Sequence, residues 1–316
     1  MRRILAVLLT LPTLALAQAY PTKPIRIVLP FGPGGVADIT TRTIGPKLTE
    51  SLGQQIIVDN MPSAGGIRAS ETVAHAQPDG YTLLLLTNGN AVSQALFKSL
   101  PYDPVNDFAM ISTVGYFSMV LVTSSQSKYR TLKEFIAAAK ASPGKLNIGT
   151  ITPGGTQHLA GELFRSTAGI DAVVVPHKTT GEVVVATLNG TVDLGVDFIA
   201  PLVSSIKSGQ LRALAVTAGK RFPGLPDVPT AIEAGVAGYD VASWNALAAP
   251  AKTPQPILEK VHDALVKALA APEVQKRFAE LGVEGRASTP EELKAFYASE
   301  SRRWTQVVER AKIPKQ

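Results

Sequence analysis

An α/β fold in two similar lobes is what this 316-residue sequence predicts, and three observations predict it. Strand-like and helix-like segments alternate from Lys23 onward, as in sheets built with right-handed crossovers. A module of strand, glycine turn, helix and strand occurs twice, near Ile25–Asp59 and again near Leu146–Val175. The length corresponds to about two domains, and an apolar content of 45% supplies ample core material.

The chain opens on an export signal. Met1-Arg2-Arg3 is a positive start, "ILAVLLTLPTLALA" is a short apolar run, and Ala15–Ala17 or Ala17–Ala19 offers the small residues a signal peptidase needs. The run is shorter than the roughly 20 residues that span a bilayer. No cysteine follows it, which excludes a lipoprotein anchor. Residues 1–19 are therefore expected to be removed, with cleavage near 17–19, placing the mature chain in the periplasm.

In the first module "IRIVLP" and "QIIVD" are short β-branched strands. They flank a helix from about Ala37 to Leu52, in which Gly45-Pro46 predicts a kink. "GYTLLLLT" is apolar on both faces and bounded by Asp79-Gly80 and Asn88-Gly89, as befits a buried strand. "MISTVGYFSMVLVT" reads as one or two long strands. The second module brings the helix "YRTLKEFIAAAKAS", the strand "KLNIGT", the turn "TPGG" and the amphipathic helix "TQHLAGELFRSTA". "DAVVVP", "EVVVATLNG", "TVDLGVDF" and "LRALAVT" follow, and Pro223–Thr230 is the best candidate for a crossing between lobes. From Pro254 to Ile313 the text is almost all helix, with Thr289-Pro290-Glu291-Glu292 a good helix start. These helices are expected to pack back on the first lobe.

Composition excludes several functions. Without Arg2 and Arg3 the 31 basic residues become 29 against 25 acidic ones, spread along the chain. Nucleic-acid binders instead cluster Lys and Arg with stacking aromatics. The absence of cysteine rules out disulfides, thiolate catalysis and Cys-ligated metal. No G-x-S-x-G, H-E-x-x-H or i, i+4 His pair occurs, so no catalytic, metal or cofactor residues are assigned. His75 and His262 read as surface residues. Asp193 and Asp197 share one face of a strand, with Asp197 at its end.

The chemistry lies in the glycine turns. Pro33-Gly34-Gly35 lets backbone approach a ligand, and the helix start beyond it offers unpaired N–H groups and the positive dipole end. Yet the P-loop lysine is missing, G-x-G-x-x-G is not matched, and Asp38 adds a negative charge. A triphosphate would find no neutralising charge here, whereas a carboxylate is satisfied by two or three N–H groups. A structural βα turn is the competing account. The repeat at "GTITPGGTQHLAGELF" would place a second such helix start across one cleft, with His158 in its first turn and His177 at the next strand end.

Seven blocks occur in order: "PFGPGGVAD", "DNMPSAGG" with "AQPDGYTLLL", "LPYDPVNDF", "GGTQHLAGELF", "VPHK", "LPDVPTAIEAG" and "APAKTP". In these blocks the chain resembles the Bug-type (TctC-like) extracytoplasmic solute receptors of tripartite tricarboxylate transporters. The resemblance implies a periplasmic-binding-protein, or Venus-flytrap, architecture in which each lobe is a mixed sheet flanked by helices. It implies lobe 1 as 20–122 plus 241–316 and lobe 2 as 123–240, with hinges near Val120–Ser124 and Tyr239–Ser243. The ligand implied is a small carboxylate, held by Pro33, Gly34, Gly35, Val36, Ala37 and Asp38 of one turn. From the other lobe come Thr152, Gly154, Gly155, Thr156 and His158, with Asp197 matching a strand-end aspartate. Asn88, Gly89 and Ser93 of "TNGNAVS" complete the expected site, together with His177. Membrane transporter subunits are the implied partners, and a monomer is expected.

The chain departs from the family pattern at several positions. Ser93-Gln94 stands where Asn-Pro is usual, and His177, Thr179 and Thr180 where Tyr and small residues are common. Asn245 and Ala248 stand where aromatic residues are common beside Trp244. These changes imply a more polar, roomier pocket, in which His177 would gain charge as pH falls. The alternatives are a ligand-dependent partner of a sensor kinase, which differs in docking surface, and an exported hydrolase, for which no nucleophile–base pair is visible.

Overall fold

The computed structural model describes residues 20–151 and 153–315. The expected export signal and Thr152 lie outside the described residues. The first half contains β1 (Ile25–Leu29), α1 (Val36–Leu52), β2 (Ile56–Asn60), a 3-10 turn (Ala64–Gly66), α2 (Ile67–Ala74), β3 (Thr82–Thr87), α3 (Asn88–Leu96) and β4 (Phe108–Ser124). Then follow α4 (Leu132–Ala141), β5 (Asn147–Ile151), α5 (Thr156–Thr167), β6 (Val173–His177), α6 (Thr180–Leu188), β7 (Leu194–Phe198), α7 (Ile199–Lys207) and β8 (Leu211–Val216). The chain closes with β9 (Ala242–Pro250), α8 (Gln255–Ala270), α9 (Pro272–Glu280), β10 (Val283–Gly285) and α10 (Pro290–Arg310).

The long apolar run is a single 17-residue strand, β4, and it belongs to both lobes. Its first part lies between β9 and β10, giving the order β2-β1-β3-β9-β4-β10. Its last part lies between β7 and β8, giving β8-β4-β7-β5-β6. Within these sheets β1, β2 and β3 are parallel, as are β5, β6 and β7, while the neighbours of β4 run antiparallel to it. Each lobe is thus a mixed sheet, with helices packed on it. β3 sits between β1 and β9, and Leu83–Leu86 are at most 2% exposed, as the unbroken apolar run requires.

α1 runs through Pro46 to Leu52, as expected, with its inner side, Ile44 and Leu48, in the core. Other local expectations change. "EVVVATL", apolar enough for a strand, is helix α6, started by Thr179 whose hydroxyl accepts from Glu182 N–H. Pro223–Thr230 does not cross between lobes. It loops out and returns to β8, where Val216 N–H donates to Pro229 O and Ala231 N–H to Val216 O. The passage back to the first sheet comes later, at Val241. His262 is half-buried, with Nε2 3.1 Å from Ser288 O, so it ties α8 to the approach of α10.

α8 and α9 pack on α1, as expected of helices returning to the first lobe. α10 does more. Leu293 and Tyr297 join the first-lobe core beside Trp244, whereas Trp304, Val307 and Val308 join the second-lobe core with Phe135 and Phe164. Its middle is fixed by Glu300, 5% exposed, whose Oε2 accepts from Trp244 Nε1 at 3.2 Å and Trp304 Nε1 at 2.9 Å. Both tryptophans of the chain therefore spend their one donor on one carboxylate oxygen. Glu300→Ala should cost roughly 2–5 kcal/mol, because it leaves two buried indole N–H groups unpaired beside a cavity. Glu300→Gln, which keeps the acceptor, should cost about 1 kcal/mol. Urea denaturation separates the two, and equal losses would show that the indole bonds contribute nothing.

Candidate functional site

Strand polarity decides where the glycine turns face. β4 runs parallel to β1 and β3, and antiparallel to β5, β6 and β7. Because β4 passes from the first sheet into the second, the carboxyl ends of β1 and β3 point toward the second lobe. Those of β5, β6 and β7 point back toward the first. The helix starts that follow these strands therefore converge on the junction, where open α/β sheets bind ligands.

The two turns are built alike. Gly34 and Gly154 are left-handed (φ 86° and 77°), and Gly35 and Gly155 are extended N-caps (φ −77°, ψ 168° and φ −71°, ψ 165°). α4, α6 and α10 begin with a threonine hydroxyl accepting from the helix. Gly35 and Gly155 have no side chain to do so, leaving the first N–H groups of α1 and α5 uncapped. Pro33, Gly34 and Gly35 are exposed, Val36 is half-buried and Ala37 is buried. In the second turn Gly154 is buried against α3, Gly155 and Thr156 are half-buried, and a Cβ on Gly154 would lie 3.0 Å from Leu96 Cδ1.

Each turn is braced by the residue four positions on. Gly34 N–H donates to Asp38 Oδ2 at 2.9 Å, and Gly154 N–H donates to His158 Nδ1 at 3.2 Å. Asp38 Oδ1 also accepts from Arg42 Nε and Asn60 Nδ2, each at 3.0 Å. Burial alone would raise the Asp38 carboxyl, but bonds from Arg42, Gly34 and Asn60 outweigh it and hold the group below the usual carboxylate range. Its charge is thus occupied within its own turn, and Arg42 and Asn60 are partners that the sequence reading missed. An arginine four residues along the helix was the available signal for the first. His158 must be unprotonated at Nδ1 to accept, and burial holds the imidazole below its ordinary value against the pull of Glu162.

Asp197, wholly buried at the end of β7, forms the floor behind the second turn. It accepts from Gln157 Nε2 at 3.0 Å, Thr180 Oγ1 at 2.6 Å and Phe198 N–H at 2.7 Å, joining the starts of α5, α6 and α7. Burial raises its carboxyl despite these bonds. Gln157 had no signal in the sequence. On the first-lobe side Asn88 opens α3 at 3% exposure, and Gly89 approaches Gly65 O. Ser93 differs from expectation: it is fully buried in α3, and its Oγ donates to Asn90 O at 2.8 Å, so it packs the helix. His177 ends the edge strand β6, half-buried, with Nδ1 3.1 Å from Val175 O. Ala248 lies in the sheet between Leu84 and Met110 and does not enlarge the cleft. Two cavities lie away from the turns, one of about 370 Å³ by Tyr116, Arg286 and Phe296, the other of about 300 Å³ by Lys128 and Asn189. Among the described residues no group of acidic or histidine side chains is placed to hold a metal ion, and no helix is long and apolar enough to cross a membrane.

The sequence pattern described as "Tripartite tricarboxylate transporter family receptor" matches residues 40–313. The chain belongs to this family. Protein BugT of Bordetella pertussis is similar, 35% identical over 294 residues that cover 92% of this chain and 90% of BugT. Two receptor-like solved structures share the fold closely. An R. palustris protein solved with adipate is 30% identical with a TM-score of 0.83, covering 94% of this chain and all of that one (100%). MatC from Rhodopseudomonas palustris, with bound malate, is 33% identical with a TM-score of 0.78, covering 92% and 100%. The two-lobed receptor architecture is therefore that of the family, whose members are solute-binding proteins.

Two outcomes follow from the turns of this receptor. Gly34→Ala, into open space at φ 86°, should cost about 1–2 kcal/mol through backbone strain alone. Gly154→Ala meets Leu96 as well and should cost more; urea midpoints showing no difference would remove the packing role of Gly154. For His158 the folded-state value lies below the unfolded one, so its contribution is fully present above pH 6.5 and lost as pH falls below it. His158→Gln should flatten the fall in stability between pH 7.5 and 5.5, and an unchanged slope would assign that fall elsewhere.

Proposed function

We propose that this receptor captures a small di- or tricarboxylate between its two glycine turns in the periplasm and, once closed, presents it to membrane transporter subunits. The observation that carries this reading is the pair of uncapped helix starts, each braced from behind, on opposite sides of one junction. Each supplies N–H groups and about half a unit of positive charge. That suits one carboxylate per turn and falls short of a polyphosphate. The adipate and malate bound by its structural relatives are of this class. A ligand touching both turns stabilises the closed state by its greater affinity for closed over open. The family's receptor role and the export signal support delivery from the periplasm to a transporter. Among the described residues the hydroxyl–carboxylate pair of the site, Thr180 on Asp197, is spent tying α6 to the floor behind the second turn, which supports binding over catalysis.

Thermal unfolding of the mature protein with succinate, malate, adipate, citrate and their amides tests the reading. A ligand at a thousand times its Kd should add about 4 kcal/mol, a rise of roughly several degrees in Tm. At least one acid is expected to raise Tm while its amide does not. No shift with any acid, in protein freed of co-purified ligand, would sink the carboxylate reading.

A further inference from the structure

We propose that Asn88 selects ligands bearing a hydroxyl beside the carboxylate, so that the receptor prefers 2-hydroxycarboxylates to the unsubstituted acids; this rests on the carboxylate reading above. Asn88 is the first residue of α3, at the carboxyl end of β3, next to the strand that leads into the first glycine turn. It is 3% exposed, and among the described residues neither its Nδ2 nor its Oδ1 has a partner. A buried amide without partners is destabilising, so it needs a reason.

The neighbouring polar groups do not supply one, because they pair with one another. Asn90 Oδ1 accepts from Thr87 N–H and Oγ1, and Asn90 Nδ2 donates to Ser70 Oγ. Asn90 O accepts from Ser93 Oγ and from Tyr297 Oη. The start of α3 is thus organised without Asn88.

What the free amide asks for is one acceptor and one donor, side by side. A carboxylate has acceptors alone: it would satisfy Nδ2 and leave Oδ1 buried and unpaired. A hydroxyl on the adjacent carbon donates to Oδ1 while the carboxylate accepts from Nδ2. An ammonium would also donate, but it needs an anion in reach. Asp38 is occupied by Gly34, Arg42 and Asn60, and Asp197 by Gln157, Thr180 and Phe198. The hydroxy acid is therefore the better match. A site built around such a pair discriminates strongly against the analogue lacking the group.

The test is calorimetric binding to the mature protein of acids paired by length: malate enantiomers with succinate, 2-hydroxyglutarate enantiomers with glutarate, and citrate with tricarballylate. The wild-type protein should bind one hydroxy acid at least ~10-fold more tightly than its parent, with one enantiomer favoured where there are two. In Asn88→Leu the members of each pair should bind alike. The ligand-free Tm of this variant should equal or exceed that of the wild type, since an unpaired amide gives way to an apolar group of similar size. Asn88→Ala repeats the comparison should leucine fit poorly. Equal affinities within each pair for the wild type would overturn the proposal while leaving the carboxylate reading intact. So would a preference that survives in both variants, which would mean that other groups recognise the hydroxyl. Failure of every acid to bind would remove the carboxylate reading, and this inference with it.

Discussion

One strand fixes the geometry of this receptor. β4 enters both sheets, and its neighbours on either side run antiparallel to it. Every parallel strand of the first lobe must then end facing the second, and every parallel strand of the second must end facing the first. Had β4 stopped at the edge of one sheet, the two modules would have had independent orientations. Because it continues, two similar turns made from distant parts of the chain are delivered to one junction. The meeting of the two turns is a consequence of strand direction before it is a consequence of any side chain.

Where the chain passes between the sheets, the place at which the proposed closure would be accommodated, the hydrogen bonds are unusual. Thr217 N–H donates to Met119 O at 3.0 Å, and Val241 N–H donates to Thr217 O at 2.9 Å. The Thr217 hydroxyl donates to Val241 O at 2.6 Å and accepts from Met119 N–H at 3.1 Å. A buried side chain thus stands in for part of the ladder between the two passing segments. α10 adds a third link, with Arg303 donating to Asp240 O beside the same passage and Glu300 gripping both tryptophans. Rotation of the lobes must therefore leave α10 attached to both cores, which favours small shifts of packed helices over a free swing.

The sequence made the architecture legible because periodicity and punctuation are local. β3, the Thr289 helix start and both glycine turns announce themselves within a few residues. α6 does not, since "EVVVATL" suits a buried strand as well as a helix, and its Thr179 cap becomes decisive through the N–H of Glu182. Pro223–Thr230 looked like a linker because proline-rich text marks irregular backbone, yet irregular backbone can return to the strand it left. The site was legible in its turns and less so in its supports. Gln157 meets Asp197 across 40 positions, and Asn60 meets Asp38 across 22, pairings that no spacing rule encodes. The Ser93 position, read as a cleft substitution, proved to be fully buried, with its hydroxyl bonded to Asn90 O of its own helix.

The difference between the two braces bears on how an anion is tolerated. In both turns the left-handed glycine gives its N–H to the side chain four residues on, so that hydrogen bond is a fixed part of the scaffold. The first lobe uses an aspartate, whose negative charge is offset by Arg42 at 2.9 Å. The second uses a neutral imidazole, with no cation needed. Were both braces acidic, two carboxylates would lie behind the two helix starts meant to receive an anion, and each would oppose the partial positive charge there. A histidine kept neutral by burial gives the same hydrogen bond without that opposition. Asp197 remains behind the second turn, but burial raises its carboxyl and three donors hold it, so the brace itself adds no further charge there. On the proposed reading, that asymmetry would let a glycine turn grip a carboxylate without the lysine that phosphate loops require.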